Sequence, residues 1–177
     1  VDLIAHGTTS DADTIRDTAV AQPLIVASSV ASLAALTEGK SLVDAGISGV
    51  AGHSVGEIAA AVAAGVFTAE QGIRFVKRRG DAMALAAAAE ATSMAAILGG
   101  DQAVVEARLA ELDLYPANYN GGGQIVAAGA VDAIAALVAE PAAGTRVIPI
   151  QVAGAFHTRY MQPAVASLSE YAAEVSV

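Results

Sequence analysis

The sequence predicts an α/β protein in which a small βαββαβ unit interrupts a larger core, and three observations carry that prediction. Hydrophobic residues fill 55% of the 177 positions, mostly as alanine and valine, with only 4% aromatic; this suits closely packed helices covering a sheet. An apolar segment at Ile47–Ala51 passes through Gly52-His53-Ser54-Val55-Gly56 into an alanine-rich stretch, the pattern of a strand turning sharply into a helix. Beyond Glu90 the apolar spacing alternates between strand and helix periods. The length allows one domain, or one domain with a small inserted lobe.

Taken in order, the first helix is expected from Gln22 to Leu36, ended by Gly39. The wider stretch Thr18 to Thr37 is uncharged and long enough to cross a bilayer. Gln22, Pro23, Ser28, Ser29 and Ser32 lower its hydrophobicity and no basic flank anchors it, so no membrane span is expected. A short buried strand is read over Ile47–Ala51, then a helix from Val55 to Ala64 stopped by Gly65. Thr68-Ala69-Glu70-Gln71 is a capping box opening a longer helix to about Ala89.

Past Glu90 the reading is strand Ser93–Leu98, helix Asp101–Leu112, strand Leu114–Tyr119, strand Gln124–Ala128, helix Val131–Ala139 and strand Arg146–Ile150. That βαββαβ order is the ferredoxin-like split unit. Gly121-Gly122-Gly123 joins its middle strands; a phosphate loop needs a helix to follow, and here a strand follows, so a hairpin turn is expected. The apolar run Val152–Phe156 leads to His157, which is read at a strand end, and a last helix is expected from Met161 to Val175. Residues 1–90 and 154–177 are thereby read as the core, and 91–153 as the inserted subdomain.

The formal charge of −9 argues against nucleic acid as a partner. Cysteine is absent, which excludes disulfides, thiolate metal sites and a cysteine nucleophile, and no metal site is read from the sequence. A cytoplasmic setting is expected. The chain opens on Val1-Asp2-Leu3 without a visible signal peptide, and a start inside a longer protein is expected. Four of the nine basic residues, Arg74, Lys77, Arg78 and Arg79, fall within six positions. For the first three a solvated helix face is the plain reading.

G-x-S-x-G is the pattern of a nucleophile elbow, in which glycines two places either side of a serine relieve crowding at a strand-to-helix turn. Such a turn is the hallmark of α/β-hydrolase-like cores. The helix start favours negative charge, so the Val55 amide is a candidate oxyanion donor beside Ser54. The five-residue match is weak in a chain this rich in alanine and glycine, and a plain turn serine remains the alternative. A serine hydroxyl needs a base, and histidine titrates near neutrality. His53 adjoins Ser54 and is expected to pack or hydrogen-bond locally, while His6 sits in a polar, turn-like segment and reads as surface. His157 is the remaining candidate base.

Four ordered motifs extend this reading. "GHSVGE" at Gly52 to Glu57, "RG" at Arg79-Gly80, "ANYNGGGQIVAAG" at Ala117 to Gly129 and "GAFHT" at Gly154 to Thr158, with "QP" at Gln22-Pro23, resemble the malonyl-CoA:acyl carrier protein transacylase family over essentially the whole chain. The resemblance implies an α/β-hydrolase-like core carrying the ferredoxin-like insert, and a ping-pong acyl transfer without a cofactor. By that analogy His157 activates Ser54, Ser54 takes the malonyl group from malonyl-CoA, and the phosphopantetheine thiol of acyl carrier protein removes it. Arg79 is implied to hold the malonyl carboxylate, which its planar fork can pair bidentately. Met83, four residues on along the same helix face, is a candidate to line the same pocket, with core packing the alternative. Phe156 resembles the position where a bulky residue excludes a methyl branch, favouring malonyl over methylmalonyl. Asn118 aligns loosely with a family asparagine near the site; turn capping beside the glycines explains it equally well.

The sequence also departs from the family. No glycine- and glutamine-rich opening segment precedes Val1, and the part that orients the histidine is not seen after Val177, so flanking segments are expected to be missing. Loss of one oxyanion donor costs roughly 10²- to 10³-fold in rate, and weak or no activity is expected from this stretch alone. The acidity of acyl carrier protein in such a family makes Arg74, Lys77, Arg78 and Arg159 a candidate basic rim. A serine esterase or thioesterase using the same Ser/His pair is the rival enzyme, though it has no use for a carboxylate-binding arginine; a non-catalytic interaction module is the rival outside enzymes.

Overall fold

Aspartates open the first three helices of the chain. In the computed structural model, which describes residues 1–175, Asp2 caps α1 (Leu3–Thr8), Asp11 caps α2 (Ala12–Arg16) and Asp17 caps α3 (Thr18–Thr37), each side chain accepting an amide of the first turn. Such caps satisfy donors that the helix itself leaves unpaired. The segment read as polar and turn-like is therefore helical, and α3 begins four residues before the expected Gln22. Pro23 lies within α3 and is almost wholly buried. By length and composition α3 is apolar enough to cross a membrane.

The chain divides into two compact units, Val1–Ala82 with the residues from Ser167 onward, and Met83–Ala166. In the first unit α3 is followed by α4 (Gly56–Ala63) and the start of α5 (Ala69–Ala87). Gly65, at a φ of 74°, stops α4, as expected of a residue that enters the left-handed region without strain. The predicted capping box opens α5: the Thr68 amide donates to Gln71 Oε1 at 2.8 Å, and the Gln71 amide donates to Thr68 Oγ1 at 3.1 Å. Val26, Ile58 and Val76, one from each helix, form a buried cluster with Val30, Val55, Ala59, Ile73 and Phe75 around it. Phe75 also stacks on Phe67 and meets the Tyr171 ring.

The apolar segment Ile47–Ala51 is not a strand, contrary to expectation. A strand is defined by its partner, and no other strand of the first unit's described residues runs beside it. Its residues are half-buried or exposed.

The second unit holds the only sheet among the described residues. β1 (Thr92–Gly99), α6 (Gln102–Glu111), β2 (Tyr115–Gly121), β3 (Gln124–Ala130), α7 (Val131–Ala139) and β4 (Thr145–Ile150) follow one another in the βαββαβ order read from the sequence. The spatial order is β2-β3-β1-β4, with every neighbouring pair antiparallel. Side chains alternate across the sheet. Ala95 and Ile97 of β1 with Ile125 and Ala127 of β3 face Val105, Leu109, Ile134 and Leu137 of the two helices. The intervening Met94, Val126 and Ala128 form a second cluster with Ala155 on the other face. Gly121-Gly122-Gly123, all at positive φ, make the turn between β2 and β3.

Candidate active site

Ser54 occupies a turn that needs glycine on its N-terminal side. Its φ is 54°, in the left-handed region that side chains rarely adopt. Gly52 is held so close to the start of α4 that a Cβ there would lie 2.2 Å from both C and O of Gly56 and 2.4 Å from the Glu57 amide nitrogen. Any side chain at 52 would push the turn off the helix. Gly56, by contrast, faces open space, so the crowding is one-sided, not shared by both glycines as the pentapeptide suggests. The amides of Gly56, Glu57 and Ile58 donate to the carbonyls of His53, Ser54 and Val55. The Val55 amide therefore stands ahead of that ladder, beside Ser54, at the positive end of α4. His53 is exposed.

Arg79 brings a charge to the serine. Its Nη2 donates to Ser54 Oγ at 3.2 Å, and its Nη1 donates to Oε1 of Gln22. Burial pushes the guanidinium pKa down from its usual value, and the Glu57 carboxylate pushes it back up. The neighbouring glycine explains how the arginine gets there: a Cβ on Gly80 would lie 3.0 Å from the Thr18 carbonyl oxygen and 3.1 Å from the Ala19 Cα. A side chain at 80 would press the first turn of α3 away by a few tenths of an ångström, so glycine suits the close approach of α5 that brings Arg79 to Gln22.

Met83, Asn118, Phe156 and His157 belong to the second unit. Met83 is buried, one turn beyond Arg79 on α5. Phe156 packs, half-buried, against the cluster of Met94, Val126, Ala128 and Ala155. Asn118 is half-buried on β2, opposite Val126 beside a register shift, and not in the glycine turn. Two residues on, Asn120 Nδ2 donates to the side-chain Oε1 of Gln124 across the turn at 2.8 Å.

His157 does not stand at a strand end. β4 stops at Ile150, paired with Met94, although β1 runs on to Thr92; there Thr92 Oγ1 accepts the buried amide of Ala155 at 2.9 Å. A Cβ at Gly154 would lie 2.7 Å from the Ala87 Cβ, so this segment crosses close to the end of α5. His157 follows in a turn, exposed within its unit, at a φ of 61°. His6, half-buried, bonds Ser10 through Nδ1 at 3.0 Å.

The basic cluster is locally balanced. Arg74 pairs with Glu70 at 2.7 Å, Lys77 with Asp81, and Arg78 lies 5.3 Å over the Tyr171 ring. In the second unit Arg159 pairs with Asp113 at 3.1 Å and lies over the rings of Tyr115 and Tyr160. Sequence reasoning passed over Gln22 as a site residue. Its signal was there: a long polar side chain in an otherwise apolar helix, which is 5% exposed in the structure.

Comparison with known proteins places this arrangement. Residues 2–176 match the family model of the acyl transferase domain. The malonyl CoA-acyl carrier protein transacylase of Mycolicibacterium smegmatis is 52% identical over 166 residues, 93% of this chain and 56% of that protein. The crystal structure of MCAT from Mycobacterium tuberculosis superposes with a TM-score of 0.93 at 48% identity, covering 99% of this chain and 58% of the other. A malonyl-transacylase solved in complex with its type II PKS acyl-carrier protein is 30% identical with a TM-score of 0.83, again covering 99% of this chain and 58% of the other. The chain thus spans a little over half the length of the relatives it matches.

Proposed function

The chain belongs to the acyl transferase domain family, and from that premise we propose that it moves a malonyl group from malonyl-CoA to the phosphopantetheine thiol of acyl carrier protein through a malonyl-Ser54 intermediate. The observation that carries this reading is the guanidinium of Arg79 set 3.2 Å from the Oγ of a serine in a left-handed turn. An esterase has no use for a cation there. A transferase that selects a dicarboxylic acyl group does, because the carboxylate beyond the acyl carbonyl must find a partner close to the nucleophile.

In the proposed reaction His157 takes the proton of Ser54 as Oγ attacks the thioester carbonyl, and the oxyanion draws on the Val55 amide. The C–S bond breaks, and the CoA thiol leaves with that proton. The carrier thiol then gives its proton to His157 and attacks the ester carbonyl, and Ser54 leaves with the proton restored. Arg79 keeps the carboxylate paired throughout, in a pocket that shields the ester from water. We assign Phe156 to the choice of malonyl over methylmalonyl, and Met83 and Asn118 to substrate binding. The steps use side chains, amides and the two substrates alone.

We read the sheet of the second unit as a ferredoxin-like subdomain, residues 91–153, inserted in an α/β-hydrolase-like core of residues 1–90 and 154–177. The strand order β2-β3-β1-β4 supports the first half of that reading, and the Ser54 turn supports the second. The setting we propose is cytoplasmic, in fatty-acid or polyketide synthesis, with no part for nucleic acid or membrane.

Intact-protein mass spectrometry after mixing the chain with malonyl-CoA tests the function. A malonyl adduct on Ser54 that Ser54→Ala abolishes is expected, and its passage to phosphopantetheinylated carrier protein should follow. Rapid release of free malonate, with no adduct and no transfer, would favour the esterase reading instead.

A further inference from the structure

Gln22 is a buried polar side chain whose amide oxygen is spent on one guanidinium nitrogen. A guanidinium only donates hydrogen bonds, so the amide must turn its oxygen, not its nitrogen, toward Arg79. Nη1 is thereby fixed on α3 while Nη2 reaches Ser54 Oγ on the other side. Both bonded partners of Arg79 are uncharged. An acid at position 22 would hold the guanidinium just as well, but it would also neutralise it, leaving little attraction for a substrate carboxylate. A neutral acceptor fixes direction and adds no second negative charge beside that of Glu57.

We propose that Gln22 is the positioning residue of Arg79: its buried amide oxygen aims the guanidinium at the carboxylate of the acyl group on Ser54 without cancelling the charge that selects it. This rests on the malonyl-transfer reading and deepens it by assigning acyl selectivity to a residue on α3. The side chain acts through Arg79 and never touches the acyl group. Two features brace it. The close approach of Gly80 to Thr18 and Ala19 sets the distance between α5 and α3, and Pro23, buried next to Gln22, restricts the backbone that carries it.

The test compares the full chain with Gln22→Met, which keeps length and loses the acceptor, and Gln22→Glu, which keeps shape and acceptor and adds charge. Rates of Ser54 acylation are measured with malonyl-CoA and with acetyl-CoA by intact-protein mass spectrometry. The malonyl-to-acetyl preference should fall about 10- to 100-fold in Gln22→Met, the range for losing a hydrogen bond to a charged group. It should fall at least as far in Gln22→Glu. A general structural fault would lower both rates together and leave their ratio alone. An unchanged ratio in both variants, or a Gln22→Glu chain that keeps its malonyl preference, overturns the proposal. Because Gln22→Glu preserves shape, it carries the test if Gln22→Met does not fold. If the unaltered chain forms no malonyl adduct, the malonyl-transfer reading itself fails and takes the proposal with it; normal loading with unshifted selectivity removes only the role of Gln22.

Discussion

The second unit is held by a four-stranded antiparallel sheet with regular register through β1 and β3, and by a core that includes Ile97, Leu109 and Leu137 at 1% exposure or less. The first unit has no strand among its described residues, and its buried cluster is three side chains, Val26, Ile58 and Val76. Yet the first unit carries the Ser54 turn and the Arg79 contact. Its precision comes from close approaches at Gly52 and Gly80, where an added methyl meets the backbone of another helix or turn at 3.0 Å or less. Close glycine approaches occur in both units, Gly154 against Ala87 in the second among them; what the second unit adds is a paired sheet packed on large buried side chains.

Substitutions can break that contrast in either direction. The largest effect on stability should come from Leu137→Ala, which empties a fully buried site in the sheet–helix core and should cost about 2–5 kcal/mol in chemical denaturation. Gly52→Ala should do the reverse: the sheet-bearing unit keeps its stability, while Ser54 acylation slows by about 10²-fold, the scale for displacing a reacting group by an ångström. An acylation rate within twofold of the parent would show that the turn tolerates a side chain. The smallest effect should follow charge reversal at Arg74 and Lys77. Their exposed ion pairs are worth roughly 0.2–1 kcal/mol of stability, and transfer to carrier protein should slow at low salt and recover as salt rises.

The same contrast governs how much could be read from the sequence. The βαββαβ cycle was legible because alternation and helical spacing are local patterns, and α7 spans the Val131–Ala139 that its apolar spacing marks. Apolarity alone misled at Ile47–Ala51, where a strand needs a neighbour that local pattern does not supply. The end of β4 at Ile150 was legible, but the apolar run Val152–Phe156 beyond it misled in setting His157 at a strand end, where the chain instead makes a turn. At the candidate site, Ser54 and Arg79 were visible as motifs, but the reasons for them were not. That Gly52 is crowded and Gly56 is open depends on how the turn folds onto the helix, and that Gly80 sets a helix distance and Gln22 holds Arg79 are facts about residues far apart in the chain. Asn120 shows the finer limit: its bond across the turn to Gln124 follows from the hairpin register, which the run of asparagines and glycines does not itself give.

Ser54 and His157, the proposed nucleophile and base, both sit at positive φ without being glycine. A left-handed residue with a side chain costs about 1–2 kcal/mol that glycine avoids. Selection for heat resistance alone, blind to acyl transfer, would therefore walk this chain toward glycine at both positions. Thermostabilised descendants obtained that way would lose their chemistry as they gained their melting temperature, so any such campaign has to screen for the acyl adduct at every round.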